Sequence, residues 1–134
     1  MDRLIIKFLE KNHLLSFGVI DDDCVYSASC YYAFDKKDLS LLIKSDEKSR
    51  HIQLAMKNPK ISITIAKDSK KLLLLKGLQI KAIFAKSNND EKEIYYLRFP
   101  FAKFRAGEIY TLKILWAKYT DNSLFKSNKI IFSK

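Results

Sequence analysis

Short runs of alternating apolar and polar residues are the feature that most limits what this chain can fold into. Ile61, Ile63 and Ile65 alternate with polar neighbours, and the same alternation recurs from Leu78 to Phe84. A period of two is typical of strands that bury one face. The sequence therefore predicts about seven strands, at residues 14–20, 24–33, 39–44, 60–67, 72–86, 108–119 and 130–132.

The connections between these runs indicate the fold class. Three aspartates at 21–23 make a tight polar connection, which predicts a hairpin between the first two strands. Helices are predicted at 2–11, within 45–59 and at 91–99. Hairpins followed by strand–helix–strand passages favour a barrel with mixed connections over a doubly wound sheet. We expect a mainly β fold, a split β-barrel with two to three short helices, formed as a single domain by residues 1–134.

Two strand candidates carry more specific expectations. The leucines at 72–75 suit a helix, but Gly77 and the alternation after it favour a long strand with a bend or bulge at Gly77. In the run at 108–119 the alternation places four large side chains on one face. These residues are Tyr110, Leu112, Ile114 and Trp116.

Composition limits the classes of partner. The 134 residues suffice for one domain, and a hydrophobic content of 48% excludes an intrinsically disordered chain. The formal net charge of +10 suits nucleic acid, an anionic membrane surface or an anionic small molecule, or it serves solubility alone. We find neither an apolar run of membrane-spanning length nor a signal-peptide pattern, so we expect a cytoplasmic protein without membrane insertion.

Cysteine and histidine content bears on redox compartment and metals. Cys24 and Cys30 fall on one predicted strand, about 20 Å apart at the usual strand rise, which is too far for a disulfide. Free thiols indicate a reducing compartment. His13 and His51 are the only histidines, which excludes a structural zinc site of the usual spacing. Adjacent aspartates in a hairpin do not form a metal cage, so no metal is expected.

The junction at 45–59 is the strongest candidate for a binding site. Ser45 is expected to cap the helix, with Asp46 and Glu47 in its first turn. Free backbone N–H groups at a helix start favour an anion such as phosphate. The alternative is a solvated, well-capped helix. The side chains that crowd this junction are Lys48, Ser49, Arg50 and His51.

Two further segments suggest ligand contacts. The strand around 27–30 has unusually small side chains, which suits either a tightly packed barrel wall or the approach of a flat ligand, and Tyr31 follows it. The connection at 101–107 combines Phe101 and Phe104 with Arg105. Such a loop can stack on nucleic-acid bases, but we favour the interpretation that it covers an edge of the core.

These segments, in this order and spacing, resemble the pyridoxamine 5′-phosphate oxidase-like superfamily of flavin-binding split barrels, and a small bacterial subgroup of it. The resemblance rests on Ser45, on the runs 48–53 and 58–59 with the isoleucine-rich strand behind them, and on 76–81. It extends to 119–124, which follows the helix that ends at 97–100. No single motif is strong, but together they cover most of the chain. The resemblance implies a homodimer that binds flavin mononucleotide (FMN) in clefts between subunits.

The resemblance also implies roles for individual residues. Ser49 and Arg50 match the first two residues of the family's serine-arginine-lysine run, which holds the flavin phosphate, and His51 stands where lysine is usual. Ser45 matches a serine or threonine at the preceding strand end. The family's oxidases carry basic residues on the strand at 27–33; this chain has none there, and Lys48 is a candidate to compensate. The residues expected beside the isoalloxazine ring are Ser29, Cys30 and Tyr31.

The implied function is FMN binding, with flavin-dependent oxidoreductase activity on an unspecified small molecule. The alternatives are a non-catalytic flavin or haem module, with deazaflavin as a further cofactor, and, least favoured, a nucleic-acid-binding barrel. The family's substrate-binding arginine-histidine segment is missing from the C-terminus, where Lys126 and Lys129 lie instead. Efficient pyridoxamine 5′-phosphate oxidase activity is therefore not expected. The apolar residues of 72–86 and 108–119 also exceed what one barrel interior needs, which favours a two-fold dimer.

Overall fold

Among residues 1–123 and 129–134, which the computed structural model describes, the chain forms seven strands and three α-helices. Two 3-10 helices, Leu72–Leu74 and Pro100–Phe104, lie between them. The helices are α1 (Arg3–Lys11), α2 (Arg50–Lys57) and α3 (Asn89–Arg98). The strands are β1 (Leu14–Asp21), β2 (Cys24–Asp35), β3 (Ser40–Ser45), β4 (Lys60–Ala66), β5 (Lys76–Lys86), β6 (Glu108–Asp121) and β7 (Lys129–Ser133).

The strands are antiparallel and follow the order β3-β2-β1-β4-β5-β6-β7, and β3 also pairs with β6. That extra pairing closes a six-stranded barrel. Residues Glu108 to Lys113 of β6 pair with β3, whereas Trp116 to Thr120 pair with β7, so the wall splits partway along β6. The prediction of a mainly β split barrel is confirmed, and so is the hairpin, in which Asp21 pairs with Cys24.

The barrel interior holds the core, because the alternating side chains of each strand point inward. Ile61, Ile63 and Ile65 are buried, as their spacing predicts. Helix α1 covers one end of the barrel with Ile5, Phe8 and Leu9. The buried hydroxyl of Tyr32, on β2, donates to the carbonyl oxygen of Leu9 at 2.9 Å and fastens this helix to the wall.

A β-bulge changes the phase of β6. Lys81 lies opposite Trp116 and Ala82 opposite Ile114, so Leu115 is an extra residue without a partner across the ladder. Before the bulge, Ile114 is buried; beyond it, Ala117 is buried, and Trp116 is only half-buried. The expectation that Trp116 shares a face with Tyr110, Leu112 and Ile114 is therefore wrong.

The segment before β5 also differs from its prediction. Residues Leu72–Leu74 form a 3-10 helix, and the strand begins only at Lys76. Gly77 shows no register shift; the irregularity lies between Lys81 and Ala82. A glycine at 77 has a packing reason instead, since a Cβ atom there would lie 3.2 Å from the carbonyl oxygen of Ile65.

Helices α2 and α3 both start at residues other than those predicted, and α3 starts at Asn89, two residues before its predicted bound. Asn88 caps α3 by accepting from the backbone N–H of Glu91, whose side chain accepts from the N–H of Asn88. Helix α2 begins at Arg50, four residues later than expected, because Ser45 remains the last residue of β3. The expectation that Ser45 is the cap is wrong; Ser49 holds that position, without a capping hydrogen bond from its side chain.

Candidate functional site

An open strand edge lies beside the split. Among the described residues, β3 pairs with β2 only from Tyr32 to Asp35, so the outer edge of β2 from Cys24 to Tyr31 has no strand partner. Ser29 and Tyr31 are exposed on this stretch, and the Ser29 hydroxyl lies 3.2 Å from that of Ser16 on β1. Backbone donors and acceptors on an unpaired edge are available to a ligand.

Cys30 lies on the same edge but is less reactive than its position suggests. Burial raises the pKa of its thiol to about 11, so the thiol stays protonated at neutral pH. Both cysteines are free, as predicted. The contribution of Cys30 to a site is therefore its shape and its backbone.

A cleft of about 700 Å³ opens next to this edge, between the ends of β2 and β3 and the segment from α3 to the second 3-10 helix. Its volume lies within the range of small-molecule sites. Ser45 and Tyr31 both line it, so two predicted groups of site residues meet here. The aromatic residues of the lining are Tyr31, Tyr95, Phe99 and Phe101.

The aromatic side chains form one wall of the cleft, and they differ in how deeply they are buried. Tyr31 is 57% exposed and stacks on His13 of the α1–β1 connection, with ring centroids 5.7 Å apart. The ring of Phe99 is tilted against that of Tyr31, with centroids 6.1 Å apart. Tyr95 is buried, and burial raises its pKa to about 12, so its hydroxyl stays protonated. Such a wall suits the face of a planar conjugated ligand.

Three cations line the cleft. The ammonium of Lys44 donates to the carbonyl oxygens of Ala102 (2.6 Å) and Arg105 (2.7 Å) and to the hydroxyl of Tyr96 (2.9 Å), so it holds the wall in place. Arg98 donates to the carbonyl oxygen of Asn12 at 2.9 Å. The exposed side chain of Arg105 makes no hydrogen bond or ion pair with the described part of the chain. The cleft therefore favours an anionic ligand.

Ser45 joins the cleft to a second, polar cluster formed with Ser49 and His51. Its Oγ atom lies 2.9 Å from Nε2 of His51 and 3.2 Å from Oγ of Ser49. The Ser49 hydroxyl lies 3.4 Å from the same imidazole nitrogen. Burial lowers the pKa of His51, and its ring packs edge-on against Phe17. We refer to Ser45, Ser49 and His51 as the serine-histidine cluster.

The two cations predicted for the phosphate site do not join this cluster. Arg50 donates from Nη2 to Oδ2 of Asp21 at 2.5 Å, which raises the pKa of the guanidinium, and it lies over the ring of Tyr26. Lys48 is exposed; its backbone N–H donates to the carboxylate of Asp46, in the turn that precedes α2. The predicted junction is thus present, but its permanent charges point elsewhere.

Sequence reasoning missed the cations and part of the aromatic lining of the cleft. Arg98 ends α3 and Arg105 follows the second 3-10 helix, so only the tertiary fold brings them to Ser45. Arg105 belongs to the basic-aromatic connection at 101–107, for which the sequence predicts either base stacking or a cover over an edge of the core. The expectation that this connection covers the core is not met by its phenylalanines, because Phe101 is 83% and Phe104 87% exposed.

Metal-binding side chains and membrane-spanning helices bear on the predicted partners. Within residues 1–123 and 129–134, no cluster of three or more histidine, cysteine, aspartate or glutamate side chains is arranged to hold a metal ion. Of the helices in those ranges, none has the length and apolar character needed to cross a bilayer. Lys126, which stands in place of the family's substrate-binding segment, lies outside the described residues.

Fold and site together define a split β-barrel protein with an aromatic and cationic cleft beside an open strand edge. A UPF0306 protein of Campylobacter jejuni is 44% identical to this chain over 135 residues, covering 100% of the chain and 99% of the relative. A UPF0306 protein of Haemophilus ducreyi is 30% identical over 136 residues, covering 97% and 93%. The chain belongs to the UPF0306 family. No family model matches it.

Solved structures share the fold at low sequence identity. A heme binding protein from Mycobacterium smegmatis superimposes with a TM-score of 0.74 at 10% identity, over 94% of this chain and 57% of that one. An FAD-binding protein from Mesorhizobium loti gives 0.72 at 14%, over 87% and 92%. The heme storage protein HutZ from Vibrio cholerae gives 0.63 at 14%, over 84% and 89%. At these identities the likeness establishes the fold alone.

Proposed function

We propose that this protein binds FMN, with the isoalloxazine ring in the cleft along the β2 edge and the phosphate at the serine-histidine cluster. The observation that carries the proposal is the position of Ser45. This residue lines the aromatic cleft and also bonds to His51. A ring site and an anion site are therefore continuous, which is what a phosphorylated planar molecule needs.

The residues present fit such a ligand. Tyr31 and Phe99 offer ring faces, and the protonated hydroxyl of Tyr95 is a hydrogen-bond donor. Ser45 and His51 offer polar side chains to a phosphate ester. Arg105, which is exposed beside the cleft, adds positive charge. The protein's part would be to bind and orient the flavin, to exclude water from its ring and to hold its phosphate.

Redox activity is the finer part of the proposal. Bound FMN would supply hydride and electron transfer. Cys30 is held as a protonated thiol by burial, and Tyr95 as a protonated phenol. Neither is poised as a base near neutral pH, so the protein would act by placement of flavin and substrate. A flavin-binding protein without turnover is the simpler outcome, and it suits the structural neighbours, which are described as haem- and FAD-binding proteins.

Haem is the second candidate because of one feature of the cleft. His13 is exposed and stacks on Tyr31, and both are residue types that ligate haem iron. Two structural neighbours are described as heme proteins. Haem would place its propionates near the same cations that would otherwise face a flavin. The absorption spectrum of the bound cofactor would distinguish haem from a flavin.

The test is a titration of the purified protein with FMN, riboflavin, a deazaflavin and haem. We expect flavin fluorescence to be quenched with saturation at micromolar FMN, equivalent to about −8 kcal/mol. Riboflavin, which lacks the phosphate, should bind more weakly. A flat FMN titration with a folded protein would refute the proposal, and a saturating absorption band with haem alone would favour the second candidate. Oxidation of reduced nicotinamide by the loaded protein tests turnover separately.

A two-fold homodimer completes the proposal. Leu72 is 80% and Leu73 74% exposed, and Leu74 and Leu75 are also exposed. Four consecutive exposed leucines are unusual on the surface of a monomer, since contiguous apolar patches mark interaction sites. Trp116 adds an aromatic side chain to the outer side of β6. A second copy of the chain would bury this surface.

A further inference from the structure

The half-buried side chain of His51 contacts two serines and a phenylalanine, all of them uncharged. Ser45 contacts it from the end of β3, Ser49 from the turn before α2, and Phe17 from β1. Its neighbour on the helix, Arg50, is turned to Asp21. Burial keeps the imidazole neutral at physiological pH by lowering its pKa.

Charged residues of both signs lie around the cluster: three carboxylates, and the cations Lys44, Lys48 and Arg105 described above. Asp46 and Glu47 lie in the connection after Ser45, and Glu108 of β6 pairs directly with Ser45. The pKa of the buried Tyr110 is raised by burial and then by Glu47, Glu108 and Asp46, which places all three carboxylates near the same end of the barrel. Lys44 is bonded to carbonyl oxygens and Arg50 to Asp21, so a phosphate at the cluster would gain from a further positive charge.

Within the cluster, the direction of the hydrogen bond between His51 and Ser45 depends on whether the imidazole is protonated. The Ser49 hydroxyl donates to the carbonyl oxygen of Asp46 at 2.6 Å, so it can only accept from its other neighbours. A protonated imidazole would donate from Nε2 to Oγ of Ser45. The hydroxyl hydrogen of Ser45 would then be free to donate to a phosphate oxygen.

We propose that His51 takes up a proton from solvent when a phosphorylated flavin binds, so that the bound phosphate faces an imidazolium and its affinity depends on pH. The inference rests on the proposed FMN site and adds its regulation. The proton joins Nε2 of His51 while the phosphate remains a dianion, and no other group changes its proton count. Binding should therefore strengthen as pH falls from about 8 toward about 6, where the phosphate itself begins to protonate.

The measurement is isothermal titration of FMN into the protein at about pH 7.5 in buffers of different ionisation enthalpy. The dependence of the observed heat on the buffer gives the number of protons taken up. We expect an uptake approaching one proton per FMN for the natural sequence and none for riboflavin. Zero uptake with normal FMN binding would overturn this inference and leave the proposed function standing. Absence of FMN binding would overturn both.

Two variants identify the group. His51→Gln keeps a hydrogen-bonding side chain without a titratable proton, so it should bind FMN more weakly and with no proton uptake. His51→Lys carries its charge in both states, so it should bind without proton uptake and with a flat pH profile. Proton uptake that survives in either variant would contradict the assignment to His51.

A spectroscopic readout is independent of affinity. With only two histidines in the chain, His13→Gln identifies the imidazole resonances of His51. The pKa of the His51 imidazole, followed through these resonances, should rise on FMN binding. Asp21→Asn offers a second comparison, because it releases Arg50 to supply charge near the cluster; proton uptake should then fall. A pKa of His51 that is identical in free and FMN-bound protein would count against the proposal.

Discussion

The ammonium group of Lys44 donates to the carbonyl oxygen of Arg105 at 2.7 Å, across a separation of 61 residues in the sequence. Through this contact and the one to Ala102, Lys44 connects the end of β3 to the segment that forms the opposite wall of the cleft. The cleft depends on this link, because Phe101 and Phe104 point into solvent and do not fasten the segment to the core.

Replacing Lys44 by methionine should loosen that wall. Hydrogen bonds from a charged donor contribute about 1.5–3 kcal/mol, and we expect Lys44→Met to lower the free energy of unfolding in urea by an amount in that range. Amide exchange should accelerate for Ala102 and Arg105, whose N–H groups bond within the segment. Lys103→Met is the matched control, because the one contact that the Lys103 side chain makes with the described residues is with the Tyr96 ring, 5.6 Å from Nζ to the centroid. Equal losses in both variants would contradict the role given to Lys44.

Gly107 supports Ser45 from the other side. Its φ of +134° is strained for any other residue, and a Cβ atom there would lie 3.1 Å from the carbonyl oxygen of Ser45. Gly107→Ala should cost about 1–3 kcal/mol of stability and should shift the imidazole resonances of His51. Its neighbour Ala106 is exposed, so Ala106→Ser should change stability by less than about 0.5 kcal/mol. An unshifted His51 spectrum in Gly107→Ala would show that Ser45 does not transmit the strain.

The homodimer predicts a specific sensitivity at the exposed leucines. Leu73→Glu adds a charge to the surface that a partner would cover, so sedimentation should show a shift from dimer to monomer at micromolar concentration. Leu97→Glu is a stringent comparison, since Leu97 is 86% exposed but lies on α3, away from the leucine run. A natural protein that sediments as a monomer with FMN present would reject the dimer outright.

Asp121 should make stability depend on acid pH. Burial alone would raise its pKa, but hydrogen bonds from the side chain and backbone of Ser123, the charge of Lys76 and the Tyr119 hydroxyl together lower it. A lowered pKa stabilises the fold above the unfolded value of about 3.9, and this stabilisation disappears as pH falls through the lower, folded value. Urea unfolding from pH 7 to pH 2 should therefore show a steeper acid loss for the natural protein than for Asp121→Asn.

The comparison for that experiment is the exposed Asp68, whose carboxylate makes no hydrogen bond or ion pair with the described residues. Asp68→Asn should keep the steep acid limb of the natural protein. Parallel pH curves for the natural protein and Asp121→Asn would remove Asp121 as the source.

Local pattern predicted most of the strands because strand alternation is encoded by neighbouring residues, as in the isoleucines of β4. Where tertiary contacts decide, the pattern misled. Ser45 is a good cap by type, but pairing with Glu108 retains it in β3, and the helix starts later.

The candidate site was predictable only in part, for the same reason. Ser45, Ser49 and His51 are close in sequence and are brought together as expected. The separation of Arg50 from this cluster depends on Asp21, a distant residue of β1. Arg98 and Arg105 reach the cleft only through the packing of α3 against the barrel. Spacing along the chain carries no information about such encounters. The roles of all these residues in binding stay predictions.

The extra residue at Leu115 changes which residues of β6 face the barrel interior from that point to the end of the strand. Upstream, the even-numbered residues of β6 face the core; downstream, the odd-numbered ones do, and Asp121 is inward for that reason. If β6 ran on without the bulge, so that Leu115 took a paired place in the ladder, the two faces of the strand beyond it would be exchanged. The indole of Trp116 would enter the barrel, and the carboxylate that meets Lys76 would be turned out into water.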